Sequence, residues 1–151
     1  MSTQENATLV RRLIEEGING AFKNGDYALI DELIAPEYFS HNPNYPLSER
    51  GRGPEEVKKV MAAVGASMPD AHQTIEDVVA RDDKVVVRST IRGTDSSGSE
   101  GRPPSGKSFA MGAMEIFRVA DGKLVEHWII TDVLGMLQQT GAIPGAPQTE
   151  S

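Results

Sequence analysis

Two acids stand in runs that otherwise read as buried strand: Glu115 within AMEIFRVA and Asp132 at the end of EHWIITD. A carboxylate is expensive to bury unpaired, so such residues either have partners or lie on a face that lines a cavity. In an apolar cavity, desolvation raises the proton affinity of a carboxyl group and makes it a serviceable proton carrier near neutral pH. Asp132 also has a plainer use. It can cap the segment VLGMLQQ by accepting from the amides of Leu134 or Gly135. On local sequence alone the cap explains the acid but not its company.

The remaining chemical groups are sparse. His41, His72 and His127 stand in no metal-ligand spacing, so no metal is expected. His41 follows the aromatic pair Tyr38-Phe39 and reads as an ordinary hydrogen-bonded histidine or a second acid-base group. His72 reads as strand-edge surface. Arg88 reads as the cross-strand partner of Asp77, with anion binding as the alternative. The chain has no cysteine, which excludes disulfides, a thiolate nucleophile and a cysteine-based zinc site. Gly51-Arg52-Gly53 lacks the Lys-Ser/Thr of a phosphate loop, so no nucleotide cofactor is expected. The six methionines suit an adaptable core or a soft ligand pocket.

These residues must be positioned by one domain, because 151 residues support one hydrophobic core and not two. The formal net charge of −7 argues against a nucleic-acid or anionic-membrane partner. With no basic-flanked apolar segment at the start and no membrane-length apolar run, the expected location is cytoplasmic.

Leu9, Leu13, Ile14, Ile18 and Phe22 recur at helical spacing, predicting a helix over 5–24 that Gly25 stops. A second short helix runs from Asp26 through Ile34 and ends at Pro36. Glu37 to Pro43 reads as a short edge strand. A third helix follows over 53–68, with Pro54 in its first turn and Glu55 and Glu56 behind it. After Pro69 the period becomes two. One hairpin turns at Asp82-Asp83 and a second at Asp121-Gly122, the latter a strong type I′ signal. Residues 133–141 form a last short helix, and the ordered core extends over about 5–144 with a frayed tail from Gly145. The Gly-, Ser- and Pro-rich connection 94–107 reads equally as a functional rim or as disorder. Helices followed by a meander of long antiparallel strands give an α+β fold, with one sheet face buried against three N-terminal helices.

The Asp121-Gly122 turn sets a register. If Ala120 faces Lys123, Trp128 lies opposite Glu115, Ile130 opposite Ala113 and Asp132 opposite Met111. One face then carries Phe109, Met111, Glu115, Phe117, Val119, Leu124, Trp128, Ile130 and Asp132. His127 falls on the other face with Met114, Ile116, Arg118, Ile129 and Thr131, towards a helix or a subunit neighbour. A bulge would flip every side chain on one side of it.

The array of HNP at 41, GPEEVK at 53–58, MPDAHQTIED at 68–77, VVRSTIRGT at 86–94, GRPPSGK at 101–107, DGKLVEHW at 121–128 and DVLGMLQQTG at 132–141 resembles the SnoaL-like polyketide cyclase, or ester cyclase, family. The resemblance covers about 5–144. It implies a cone-shaped, nuclear transport factor two-like α+β barrel, a curved sheet around helices with a deep pocket. It also implies cofactor-free acid-base chemistry, an intramolecular aldol condensation on a small hydrophobic carbonyl compound. The family's acid-base aspartate matches Asp132, and Trp128 would line the same pocket. His41, His72 or Arg88 could support the substrate carbonyl, with Glu115, Met111 and Phe117 on the same bulky face. The alternatives are an isomerase, dehydratase or epoxide hydrolase on this fold, or a non-catalytic binding module. By analogy with such sheets, a homodimer is expected.

Overall fold

The computed structural model describes residues 2–98 and 101–145; the tail expected to fray lies almost wholly outside them. The chain opens with helix α1 (Thr3–Arg12), which runs through a π-helical stretch (Leu13–Ile18) into α2 (Asn19–Asn24). Ser2 starts it with a capping box: its hydroxyl accepts from the Glu5 amide and the Glu5 carboxylate accepts from the Ser2 amide. Gly25, in the left-handed region at φ 64°, ends it.

Helix α3 (Ala28–Leu33) is shorter than the sequence suggests. Ile34 already begins strand β1 (Ile34–His41), and Pro36 lies inside that strand instead of closing the helix. The physical reason is positional. The residue before a proline favours extended backbone, and an edge strand can accommodate a residue with no amide hydrogen. Helix α4 (Gly53–Ser67) then packs across β1. Its first residue, Gly53, sits at φ 78°, and a Cβ there would come within 2.9 Å of the Pro36 carbonyl oxygen, so no larger residue fits.

The remaining strands are β2 (His72–Arg81), β3 (Lys84–Thr94), β4 (Ser108–Ala120) and β5 (Lys123–Thr131), followed by helix α5 (Val133–Gln139). The sheet order is β1-β5-β4-β3-β2, with β1 parallel to β5 and every other pair antiparallel. Both expected hairpin turns are present, and Asp121 and Gly122 both take positive φ as a type I′ turn requires. Val10, Ile14, Ile30, Ile34, Val85, Val87 and Leu124 fill the space between the helices and the inner sheet face. Among the described residues no helix is long and apolar enough to cross a membrane.

The connection after β3 is built around one carboxylate. Asp95 accepts from the amides of Gly98 and Ser105 and pairs with Arg102. The Ser105 hydrogen bonds, then Gly98 and the charge of Arg102, hold the Asp95 carboxyl below its ordinary range.

Two outcomes test this description. Leu124 is fully buried between β1 and β4, so Leu124→Ala should cost about 2–5 kcal/mol of unfolding free energy in urea titration. Because folding depresses the Asp95 pKa, its stabilising effect is complete above the unfolded-state value of about 3.9 and is lost as pH falls through the lower folded value. Hydrogen exchange at Gly98 and Ser105 should report this as lost protection in acid, and Asp95→Asn should lose protection already at neutral pH.

Candidate active site

Between the inner sheet face and the helices lies a cavity of about 340 Å³. Its walls are mostly apolar, with Ile14, Ile18 and Phe22 from the first helix, Val60, Met61 and Val64 from α4, and Met111, Phe117 and Ile129 from the sheet, while Asn42, Asn44, Arg50 and Glu56 also line it. Such a cavity is of a size to enclose a small organic molecule. Set into these walls are Ser40, Gln73, Glu115 and His127, which with the buried Ser89 behind Gln73 form a connected group of polar side chains from all five strands.

Glu115 is 6% exposed and His127 8% exposed. The His127 Nε2 lies 3.0 Å from Glu115 Oε1, and its Nδ1 lies 2.8 Å from the Ser40 hydroxyl. The second Glu115 oxygen accepts from the Gln73 side-chain amide at 2.7 Å, and that same amide nitrogen donates to Ser89 at 2.9 Å. A carboxylate that accepts on both oxygens compensates much of its own desolvation. The imidazole is stacked between rings, with centroids 4.6 Å from Phe117 and 6.2 Å from Tyr38. Burial, and secondarily the Glu115 charge, push the Tyr38 phenol above its ordinary range, so it is a neutral hydroxyl beside the pair.

The support runs one layer further. Asn19 donates to the Gln73 carbonyl at 2.9 Å and accepts from the Gln73 amide at 2.8 Å, pinning edge strand β2 to the first helix. Asn19 follows the π-helical stretch directly. A π turn inserts an extra residue into the helical ladder, and such insertions cluster at functional sites. Here that stretch supplies Ile14 and Ile18 to the cavity wall and leads into Asn19 opposite Gln73.

A family model described as SnoaL-like polyketide cyclase matches residues 8–140. The chain belongs to the SnoaL-like polyketide cyclase family. It is 29% identical over 149 residues to the aklanonic acid methyl ester cyclase DnrD of Streptomyces peucetius, covering 93% of this chain and 92% of that protein. Among solved structures, IdmH from Streptomyces antibioticus is 34% identical, covers 90% of this chain and 98% of its own, and has a TM-score of 0.75. TsrD from Streptomyces laurentii is 29% identical with a TM-score of 0.78, covering 95% and 99%.

In this SnoaL-like protein the β4–β5 register departs from the one expected. Ala120 does face Lys123 and Val119 faces Leu124, but the next pair is Arg118 with Glu126. Val125 is the extra residue of a bulge, and beyond it every β5 side chain changes face. His127, Ile129 and Thr131 therefore line the cavity, whereas Trp128 and Ile130 leave it. Trp128 stacks on His41 outside, at 5.1 Å and 11°, and His41 bonds Glu126 at 2.8 Å. His72 is exposed at the start of β2. Arg88 forms the expected cross-strand ion pair with Asp77, at 2.6 Å. Of the residues singled out from sequence, Glu115, Met111 and Phe117 line the cavity; Asp132, Trp128, His41, His72 and Arg88 do not.

Asp132 is exposed and caps α5, accepting from the Gly135 amide at 2.9 Å, while its own amide donates to the Gly112 carbonyl. Sequence reasoning places His127 on the opposite face and does not single out Ser40, Gln73 or Asn19. The one available signal for His127 was the pair Leu124-Val125, two adjacent apolar residues that break the alternation where the bulge sits. Removing the cap in Asp132→Ala should cost roughly 0.5–2 kcal/mol and raise hydrogen exchange in α5. If stability and exchange are unchanged, the cap contributes nothing and the side chain is held for another purpose.

Proposed function

We propose that this chain is a cofactor-independent cyclase whose acid-base group is His127, oriented by Glu115. The substrate class is a small hydrophobic polyketide-like ester bearing an enolisable carbonyl. The observation that carries the reading is the buried His127–Glu115 pair set in a mostly apolar cavity. The name of the relative DnrD, an aklanonic acid methyl ester cyclase, supports the substrate class.

The chemistry asks little of the protein. A base takes the proton α to a carbonyl, the enolate carbon attacks a second carbonyl, and the protonated base returns the proton to the new alkoxide. Glu115 accepts from Nε2–H, which leaves the Nδ1 lone pair to take the proton, relayed through the Ser40 hydroxyl that bonds it at 2.8 Å. The apolar walls hold the two carbonyls together and exclude water, converting cyclisation into a positioned intramolecular step. Family resemblance gives the same task to Asp132, and its capping geometry supports that assignment less well than the buried pair supports His127.

Turnover of a methyl-ester β-dicarbonyl polyketide separates the two assignments. His127→Ala and Glu115→Gln should each lower kcat roughly 10²–10⁴-fold, while Asp132→Asn stays near wild type. The reverse pattern assigns proton transfer to Asp132.

A homodimer through the outer sheet face belongs to the same reading. Val79, Val86, Ile116 and Trp128 form a row of strand partners there, and Met114 pairs with Ile130 beside it. Val79, Met114 and Ile130 are 63%, 51% and 65% exposed, a concentration of apolar surface that a monomer rarely leaves bare. Sedimentation equilibrium should give a dimer that Ile130→Lys converts to monomer.

A further inference from the structure

We propose that Ser40, His127 and Glu115 also form a nucleophilic triad that cleaves a carboxylic ester in the cavity through an acyl-enzyme on Ser40. This activity uses the same His127–Glu115 pair as the cyclase reading but different chemistry, and it takes esters with no enolisable partner.

Three observations carry it. Nucleophile and base are within hydrogen-bond reach, with Ser40 Oγ 2.8 Å from His127 Nδ1. Base and orienting acid are likewise joined, His127 Nε2 to Glu115 Oε1 at 3.0 Å. The acid is itself fixed by Gln73 at 2.7 Å. The direction of these bonds follows from the donor inventory. Gln73 offers Glu115 only a donor, and a carboxylate accepting on both oxygens takes the Nε2 hydrogen from His127. The Nδ1 lone pair then has one role left, to accept the Ser40 hydroxyl proton. This is the polarity of a serine-histidine-acid triad, with the two ring nitrogens exchanged relative to the chymotrypsin arrangement.

Ser40 lines the cavity and is only partly buried, so an ester carbonyl can reach it. Both ring nitrogens of His127 are already engaged, so Ser40 is the hydroxyl through which the pair meets the cavity. Donors for a developing oxyanion flank it. Tyr38 precedes Ser40 by two residues on the same strand face and Asn42 follows it by two, and both line the cavity. The Asn42 side-chain oxygen accepts from the Asn44 amide at 2.9 Å, and its Nδ2 has no other partner among the described residues.

The step balances with water as the second reactant. Ser40 Oγ bonds to the carbonyl carbon as its proton passes to His127 Nδ1. The bond from carbon to the leaving oxygen then breaks, and the proton goes to that oxygen to release the alcohol. Water attacks the acyl carbon with His127 taking its proton, the bond to Ser40 breaks, and the proton returns to Oγ. The products are a carboxylic acid and an alcohol.

The test uses p-nitrophenyl acetate and an aryl fluorophosphonate on the full chain, with intact-mass and peptide-mass readouts. Wild type should give a stoichiometric nitrophenol burst and an adduct on the peptide containing Ser40. Ser40→Ala should show neither, Ser40→Cys should restore the adduct, and His127→Ala should slow acylation roughly 10²–10⁴-fold. Thermal melts establish that each variant is folded. Absence of adduct on folded wild type, an adduct elsewhere, or Ser40 labelling at an unchanged rate in His127→Ala overturns the triad. A diketone carrying no ester reads the cyclase reaction alone. Cyclisation without Ser40 acylation defeats only this inference, and acylation without cyclisation defeats only the cyclase reading.

Discussion

A carboxylate that folding carries almost wholly out of water sets the terms for the rest of this molecule. Glu115 projects from the middle of β4 into the space between sheet and helices, and an unpaired charge there would cost several kcal/mol. Each oxygen therefore needs a donor, and each donor must be held in place. His127 comes from β5, Gln73 from edge strand β2, and Asn19 from the helix secures Gln73 in turn. Strands at opposite sides of the sheet and the N-terminal helix are thus joined by one polar chain crossing an apolar interior. Removing any single member leaves its neighbour buried and unsatisfied, which is more costly than the bond itself.

That arrangement depends on one extra residue in β5. Without the bulge at Val125, strict alternation would put Trp128 against Glu115 and send His127 outwards. A tryptophan can offer the carboxylate one indole hydrogen but cannot carry a proton to and from a substrate. With the bulge, the imidazole enters the cavity between Phe117 and Tyr38, and the indole joins His41 outside. The same shift brings Ile129 to the inner wall and Ile130 to the outer surface. One displaced residue therefore shapes both the candidate site and the outer apolar face.

The two faces divide the labour. The inner face supplies a shaped, mostly apolar cavity in which Glu115, His127 and Gln73 are held in place by hydrogen bonds to one another. The outer face carries ion pairs of ordinary exposed kind, such as Arg88 with Asp77, beside an apolar strip running across four strands. The polar loop after β3 is neither disordered nor open over its described residues, because Asp95 accepts several hydrogen bonds at once.

The sequence by itself determined the element order, both hairpin turns, the Arg88–Asp77 pairing, the family, and the presence of Glu115, Met111 and Phe117 on the buried face. All of these rest on local signals: helical or strand period, turn residues with positive φ, and motif order. It also held Asp132 as a cap in reserve, since a cap is read from a few adjacent residues. The tertiary structure alone decided which way β5 faces beyond Val125, and so exchanged Trp128 for His127. It alone brought Ser40, Gln73 and Asn19 to Glu115, from positions 75, 42 and 96 residues away along the chain. A bulge is stabilised by sheet curvature and by what packs on either side of it, not by its own residue type. For that reason the side a strand presents could be read from sequence only up to the point where the alternation slipped.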